Sequence, residues 1–135
     1  MSNGYFLADT NSLVYAYRAG GPKLLDTYLD SAEEQDRKFV ITETVRGEIE
    51  KGPVGKELLQ YLADKNVPVL SAPDTEQRLR AGTLSSKSAG EVSMLEVSAR
   101  EQGAGRITRI WSDDKYFDSP QIMRDHPDVH RTMSA

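Results

Sequence analysis

The chain has 135 residues, enough for one domain with a single sizeable core, and its 38% hydrophobic and 28% charged composition is that of an ordinary globular protein. A net charge of −4 argues against a general electrostatic nucleic-acid binder, though not against an enzyme whose acids are neutralised by divalent metal. Cysteine is absent, which excludes disulfides, thiolate zinc sites and cysteine nucleophiles and fits a reducing compartment, so a cytoplasmic location is expected; no stretch reads as a membrane span or a signal peptide.

Tyr5 to Ala8 reads as a short strand that runs into Asp9, and Thr10 to Ala19 as a helix with Leu13, Ala16 and Tyr17 on one side. Gly20-Gly21-Pro22 breaks it, and Lys23 to about Ala32 continues as a second helix. Phe39-Val40-Ile41 is the second strand, and Thr42 is placed to cap a helix that Gly52-Pro53 closes. Gly55 to Lys65 is helical, and "VPVL" at 67–70 is a third strand, near a sheet edge because of Pro68. Asp74 to Gly82 is a short helix with an Asp74…Gln77 capping box, and "TLSSKS" at 83–88 is a loop. Ala89 to Gln102 is a long helix with Val92, Leu95 and Ala99 as one stripe, and Ile107 to Trp111 a fourth strand that ends in "SDDKYF". Strands alternating with helices imply a parallel sheet covered by helices, whose sites form outside the carboxyl ends of the strands. Asp9 and the pair Asp113-Asp114 both fall at that edge.

Each of these acids has an ordinary structural reading beside the chemical one. Asp9 is either a helix cap or half of a metal site, and periodicity does not separate Asp113 from Asp114. In the helix after Thr42 the apolar stripe is Val45 and Ile49. At about 100° per residue, Glu43 and Glu50 point away from it into solvent, whereas Glu48 lies at its margin, able to line a cleft or to remain a solvated flank. Ser88 and Glu91 have capping-box spacing, which also puts Glu91 in the first turn of its helix; Glu96 is about 7.5 Å deeper and the poorer candidate. If Asp9, Glu48, Glu91 and Asp114 converge, they repel unless a cation joins them, and an all-oxygen set suits Mg2+ or Mn2+. Such ions serve phosphodiester hydrolysis.

With those four segments in place, "LADTNSLVYAYR" at 7–18, "ITETVRGEIEKG" at 41–52, "AGEVSMLEVSARE" at 89–101 and "WSDDKYF" at 111–117, the chain resembles a PIN-domain ribonuclease, a group that includes the toxins of many bacterial toxin–antitoxin pairs. The resemblance implies a three-layer α/β/α sandwich on a mainly parallel sheet of four to five strands, and metal-dependent endonucleolytic cleavage of RNA. Asp9, Glu48, Glu91 and Asp114 match the family's four acids, with Asp113 as the alternative last ligand, and Asn11 and Ser112 match supporting polar positions. Glu91 stands where aspartate is usual. Residues 1–118 then form the nuclease domain, and 119–135 a polar tail of the same domain. The implied partners are RNA, including tRNA, and a cognate antitoxin or immunity protein; a homodimer is compatible, a membrane is not involved. Arg46, Lys87 and Lys115, with Arg100, Arg106 and Arg109, are candidates for the RNA backbone. His126 and His130 are interrupted by Pro127 and do not make a helix-face zinc pair. Two rivals stand beside the ribonuclease: an inactive PIN-like module that binds RNA or protein, and a phosphatase with Asp9 as nucleophile, which Asn11 weakens because a second aspartate is expected there.

Overall fold

A computed structural model describes residues 4–104, 107–113, 117, 119–126 and 129–132, with the backbone alone for 107 and 129–132. In chain order the elements are β1 (Gly4–Ala8), α1 (Thr10–Glu34), β2 (Arg37–Thr42), α2 (Glu43–Lys51), α3 (Gly55–Asp64), β3 (Val69–Leu70), α4 (Pro73–Arg80), α5 (Ala89–Gly103), β4 (Ile107–Trp111), α6 (Pro120–Asp125) and β5 (Val129–Thr132). The strands pair in the order β3-β2-β1-β4-β5, and every pairing is parallel. β1 is central and covered on both sides, which is why Phe6, Leu7 and Ala8 form an unbroken apolar run instead of alternating with polar residues.

Laterally paired residues point to the same face of a parallel sheet. Phe6 pairs with Phe39, and Ala8 with Trp111, so these four share one face. The second half of α1 covers it, with Tyr28 stacked on the fully buried Trp111 at 3.9 Å between ring centroids. Leu7, Val40 and Ile110 share the opposite face. There α5 packs, and its Ser93 hydroxyl meets the Thr42 hydroxyl at 2.7 Å. The result is the three-layer α/β/α architecture expected from the sequence.

Several local expectations also hold. α1 is two helices joined at a kink, where Gly21 has φ 64° and ψ −157°, a region essentially closed to residues with a side chain, and Pro22 starts the second half. Thr42 caps α2 by accepting from Val45 N, and Val45 and Ile49 are buried. β3 is an edge strand.

Other local expectations are corrected. Asp74 and Gln77 form no capping box: α4 starts after Ala72 with Pro73 in its first turn and has no side-chain cap of its own. Its free N–H groups are served from other helices, Asp74 N and Thr75 N by the Glu96 carboxylate (3.1 and 2.8 Å), and Ala72 N by Glu43 Oε2 (2.6 Å). Glu43 is therefore a partly buried staple and not a solvent charge, and Glu96 has a structural task; carboxylates from α2 and α5 complement the positive end of α4 better than a local aspartate in the exposed turn. Ser88 precedes α5 but makes no side-chain cap bond. The face of α5 turned to the core carries Gly90, Ser93, Met94 and Val97, with small residues that let it approach the sheet, while Val92, Leu95 and Ala99 line an open groove against α4 and α6. Residues 119–135 are not simply a tail: they include α6 and β5, which pairs with β4 from Thr108↔Val129 to Trp111↔Thr132. "VHRT" is too short and polar to announce itself as a strand, and the edge of β4 recruits it.

Candidate active site

Strand order reverses between β1 and β4: the chain builds β2 and β3 to one side of β1, then returns to lay β4 and β5 on the other. In parallel α/β sheets the crevice outside the carboxyl ends of the strands at such a switch point is where ligands bind. Asp9 follows β1 and Ser112-Asp113 follows β4, so both acid-bearing strand ends open on this crevice. Asp9, Asn11, Ser12, Tyr15 and Asp113 line a cleft there of about 290 Å³.

Asp9 is the helix cap that one of its sequence readings expects, and it makes a second bond besides. Its Oδ1 accepts from Ser12 N at 2.7 Å, capping α1, and its Oδ2 accepts from the buried Ser112 hydroxyl at the end of β4. Its backbone N–H continues the ladder to Trp111 O at 3.1 Å. Asp9 is 6% exposed, and burial of its charge is made tolerable by these charge-assisted bonds and by the positive end of α1. Ser112 thus stands beside Asp9 as a support, and Asn11 is exposed at the rim of the same cleft.

Glu48 reaches the site from α2. Thr10, next to Asp9 in the chain, donates to Glu48 Oε1 at 2.7 Å. On its other side lies Gly90, in the first turn of α5: a Cβ there would stand 2.5 Å from Glu48 Oε1. Only glycine allows α5 to approach this carboxylate so closely. Partial burial pushes the Glu48 carboxyl above its ordinary range; the Thr10 hydroxyl opposes this, the negative charge of Asp9 adds to it, and Lys51 opposes it. Asp9 and Glu48 are therefore electrostatic neighbours. Glu91 directly follows Gly90 and is partly buried, which places it one residue from the Glu48 contact.

Among the described residues, no three carboxylate or imidazole groups gather closely enough to enclose a metal ion. The described donors nevertheless suit a hard divalent cation in chemistry: oxygen only, with two acids close enough to repel. Asp114 and Lys115 lie outside the described residues, as does Arg106. Arg46 is not brought to the crevice; it is exposed, 3.6 Å from Glu50, and lines a groove between α2 and α3. Arg100 lines the groove by α4 and α6, and Arg109 sits within β4 on the Phe6 face. Lys87 is exposed in the α4–α5 loop, next to Ser86, which lines a groove that Glu48 also lines. His126 follows α6 and His130 lies in β5, so they do not share a helix.

Sequence reasoning missed Thr10, Gly90 and Tyr15. Thr10 had a usable signal in its place beside Asp9, and Tyr15 in falling off the Leu13–Ala16–Tyr17 stripe four residues after Asn11. Gly90 had none, because its role depends on α5 meeting α2, an element distant in the chain.

The fold and crevice define a parallel α/β/α protein with acids at its topological switch point. No family model matches the sequence, and no curated protein matches it. Among solved structures, the crystal structure of VapBC2 from Rickettsia felis bound to a DNA fragment from their promoter contains a chain that superposes with a TM-score of 0.52 at 9% identity, over 97% of this chain and 99% of that chain. At that identity the likeness shows the fold alone. No helix among the described residues is long and apolar enough to cross a membrane.

Proposed function

We propose that this protein is a Mg2+- or Mn2+-dependent endoribonuclease of the PIN-domain type, acting through Asp9 and Glu48. The observation that carries the reading is the Asp9–Thr10–Glu48 arrangement: two acids from separate elements, neighbours in charge, one held by Ser12 and Ser112 and the other by Thr10 in a space that Gly90 leaves open. A cap-only Asp9 needs no such partner on α2. The four motif segments support the same reading, and so does the shared fold with a chain of the VapBC2 complex.

In this reading Asp9 and Glu48 hold the cation, with Glu91 and Asp114, or Asp113, as the further acids. When bound, the cation lowers the pKa of water and neutralises charge developing on the scissile phosphate. The protein's own contribution is positional. Ser12 N and the Ser112 hydroxyl fix both oxygens of Asp9, Thr10 fixes one oxygen of Glu48, and Gly90 leaves the space that this carboxylate occupies. Lys87 and Lys115 are the candidates for steering the RNA backbone toward this edge, and a cognate antitoxin or immunity protein is the expected inhibitor.

The test is incubation of the purified protein with RNA in magnesium, in manganese and in EDTA, beside Asp9→Asn. Asparagine caps a helix as well as aspartate, so this variant should fold. Metal-dependent cleavage that Asp9→Asn abolishes supports the reading. RNA bound but left intact by the wild type favours the inactive module instead, and a phosphoryl group trapped on Asp9 favours the phosphatase.

A further inference from the structure

Tyr15 is 65% exposed, although large aromatic side chains are usually at least partly covered. It lines two adjoining depressions at once: the cleft with Asp9, Asn11, Ser12 and Asp113, and a groove with Asn11, Val14, Arg18 and Ala19. Asn11, Tyr15 and Arg18 are spaced four and three apart, so they form one strip along the open face of α1. The strip begins at the acids and ends at an exposed cation. Its backbone is firmly held, because Leu13 and Ala16 on the opposite side of the same turns are buried.

We infer that Tyr15 is a stacking platform for one base of a single-stranded RNA, with Arg18 taking a neighbouring phosphate. The inference rests on the ribonuclease reading and names the substrate as single-stranded at this point. A π-face next to a cation along a groove is how proteins hold single strands without reading their sequence. Tyr15 lies six residues beyond Asp9, about 9 Å along the helix axis, so the stacked base is near the bond to be cut but not adjacent to it. A duplex keeps its bases stacked on one another and cannot offer one to Tyr15. The chain's net charge of −4 makes this local pairing of aromatic and cation more pointed, since the acids at the cleft floor repel a phosphate backbone.

The test uses the full chain. A short fluorescent single-stranded RNA is titrated by anisotropy against Asp9→Asn protein, which should bind without cutting, and against the same protein carrying Tyr15→Ala or Tyr15→Phe. Tyr15→Ala should weaken binding about tenfold, and Tyr15→Phe, which keeps the ring, should stay within about twofold. An abasic nucleotide walked along the strand should reach one position where it costs the Tyr15 protein about tenfold and the Tyr15→Ala protein nothing. Arg18→Ala should reduce the dependence of log Kd on log salt by about one. Equal binding by Tyr15→Ala, no measurable binding at all, a Tyr15→Phe as weak as Tyr15→Ala, or a loss that persists at every abasic position would each overturn the inference. So would intact RNA binding in a Tyr15→Ala protein that has lost capture by a protein inhibitor, since the strip would then belong to that partner. Failure of the ribonuclease reading shows separately: the wild type with magnesium then leaves the RNA uncut, whatever Tyr15 does to binding.

Discussion

Replacing Gly90 by alanine adds a single methyl group at the contact between α5 and Glu48. The new Cβ would lie 2.5 Å from Glu48 Oε1 and 3.3 Å from its Cδ, so the carboxylate must move by about 0.5–1 Å to reach ordinary contact distance. The obstacle is the far end of a flexible side chain, so the fold should yield. Losing the Thr10 bond to this carboxylate costs about 1.5–3 kcal/mol. Alanine is better than glycine in a helix by up to about 1 kcal/mol, which offsets part of that loss. The net loss of stability should be about 0.5–2 kcal/mol, a melting temperature lower by about 2–8 °C for a chain of this size. Catalysis should respond far more, because a displacement of about 1 Å at a reacting centre costs on the order of 100-fold. The assays are a thermal melt and the rate of magnesium-dependent RNA cleavage, measured on the same preparation. A melt lowered by only a few degrees, still cooperative, with cleavage down about 100-fold is the expected pair of results. Normal cleavage by Gly90→Ala would refute the reasoning, since it would mean that the position of Glu48 is of no consequence to the chemistry.

Three further outcomes follow from the same geometry. Because the Glu48 pKa is raised in the folded protein, its ionisation opposes folding: the stabilisation it gives as a neutral acid is present below the ordinary carboxylate range and is lost as pH rises through the folded value. Glu48→Gln, which keeps an acceptor for Thr10, should therefore raise the metal-free melting temperature at pH 7, and the gain should vanish at about pH 3 in melts followed by circular dichroism. Magnesium or manganese at ten times its dissociation constant should stabilise the wild type by about 1.4 kcal/mol and Asp9→Asn hardly at all, read as a shift in melting temperature. Gly21→Ala should destabilise by about 1–3 kcal/mol through backbone strain alone, since no atom lies within 4 Å of the added methyl group; denaturant unfolding would measure it.

The sequence showed most of the fold because its punctuation is local. Gly20-Gly21-Pro22, the Thr42 cap and the apolar runs of β1 and β2 each act within a few residues, and the structure uses them as written. It was less legible wherever a distant group took over a local task. Glu43 and Glu96 look like surface charges on their own helices, yet both are held by the start of α4, where long carboxylates displace the expected Asp74 cap. β5 is a strand only because β4 offers it an edge. The candidate site divides along the same line. Asp9 and Glu48 were readable from strand ends and helical angles, and Ser112 only through the resemblance. Thr10 and Gly90 act between elements, and no period or cap marks them.

Glu48 and Glu43 lie five residues apart on one helix, and both carboxylates are occupied by hydrogen bonds, one to Thr10 at the crevice and the other to Ala72 N at the start of α4. Glutamine preserves size and acceptor at either position. The comparison of Glu48→Gln with Glu43→Gln in RNA cleavage at saturating magnesium is therefore the most direct measurement of the central claim. Cleavage should fall by about 100- to 10,000-fold in Glu48→Gln, on the scale of removing a group that acts in the chemical step, and stay within about threefold of wild type in Glu43→Gln. Equal activity in the two variants would contradict an active site built on Asp9 and Glu48.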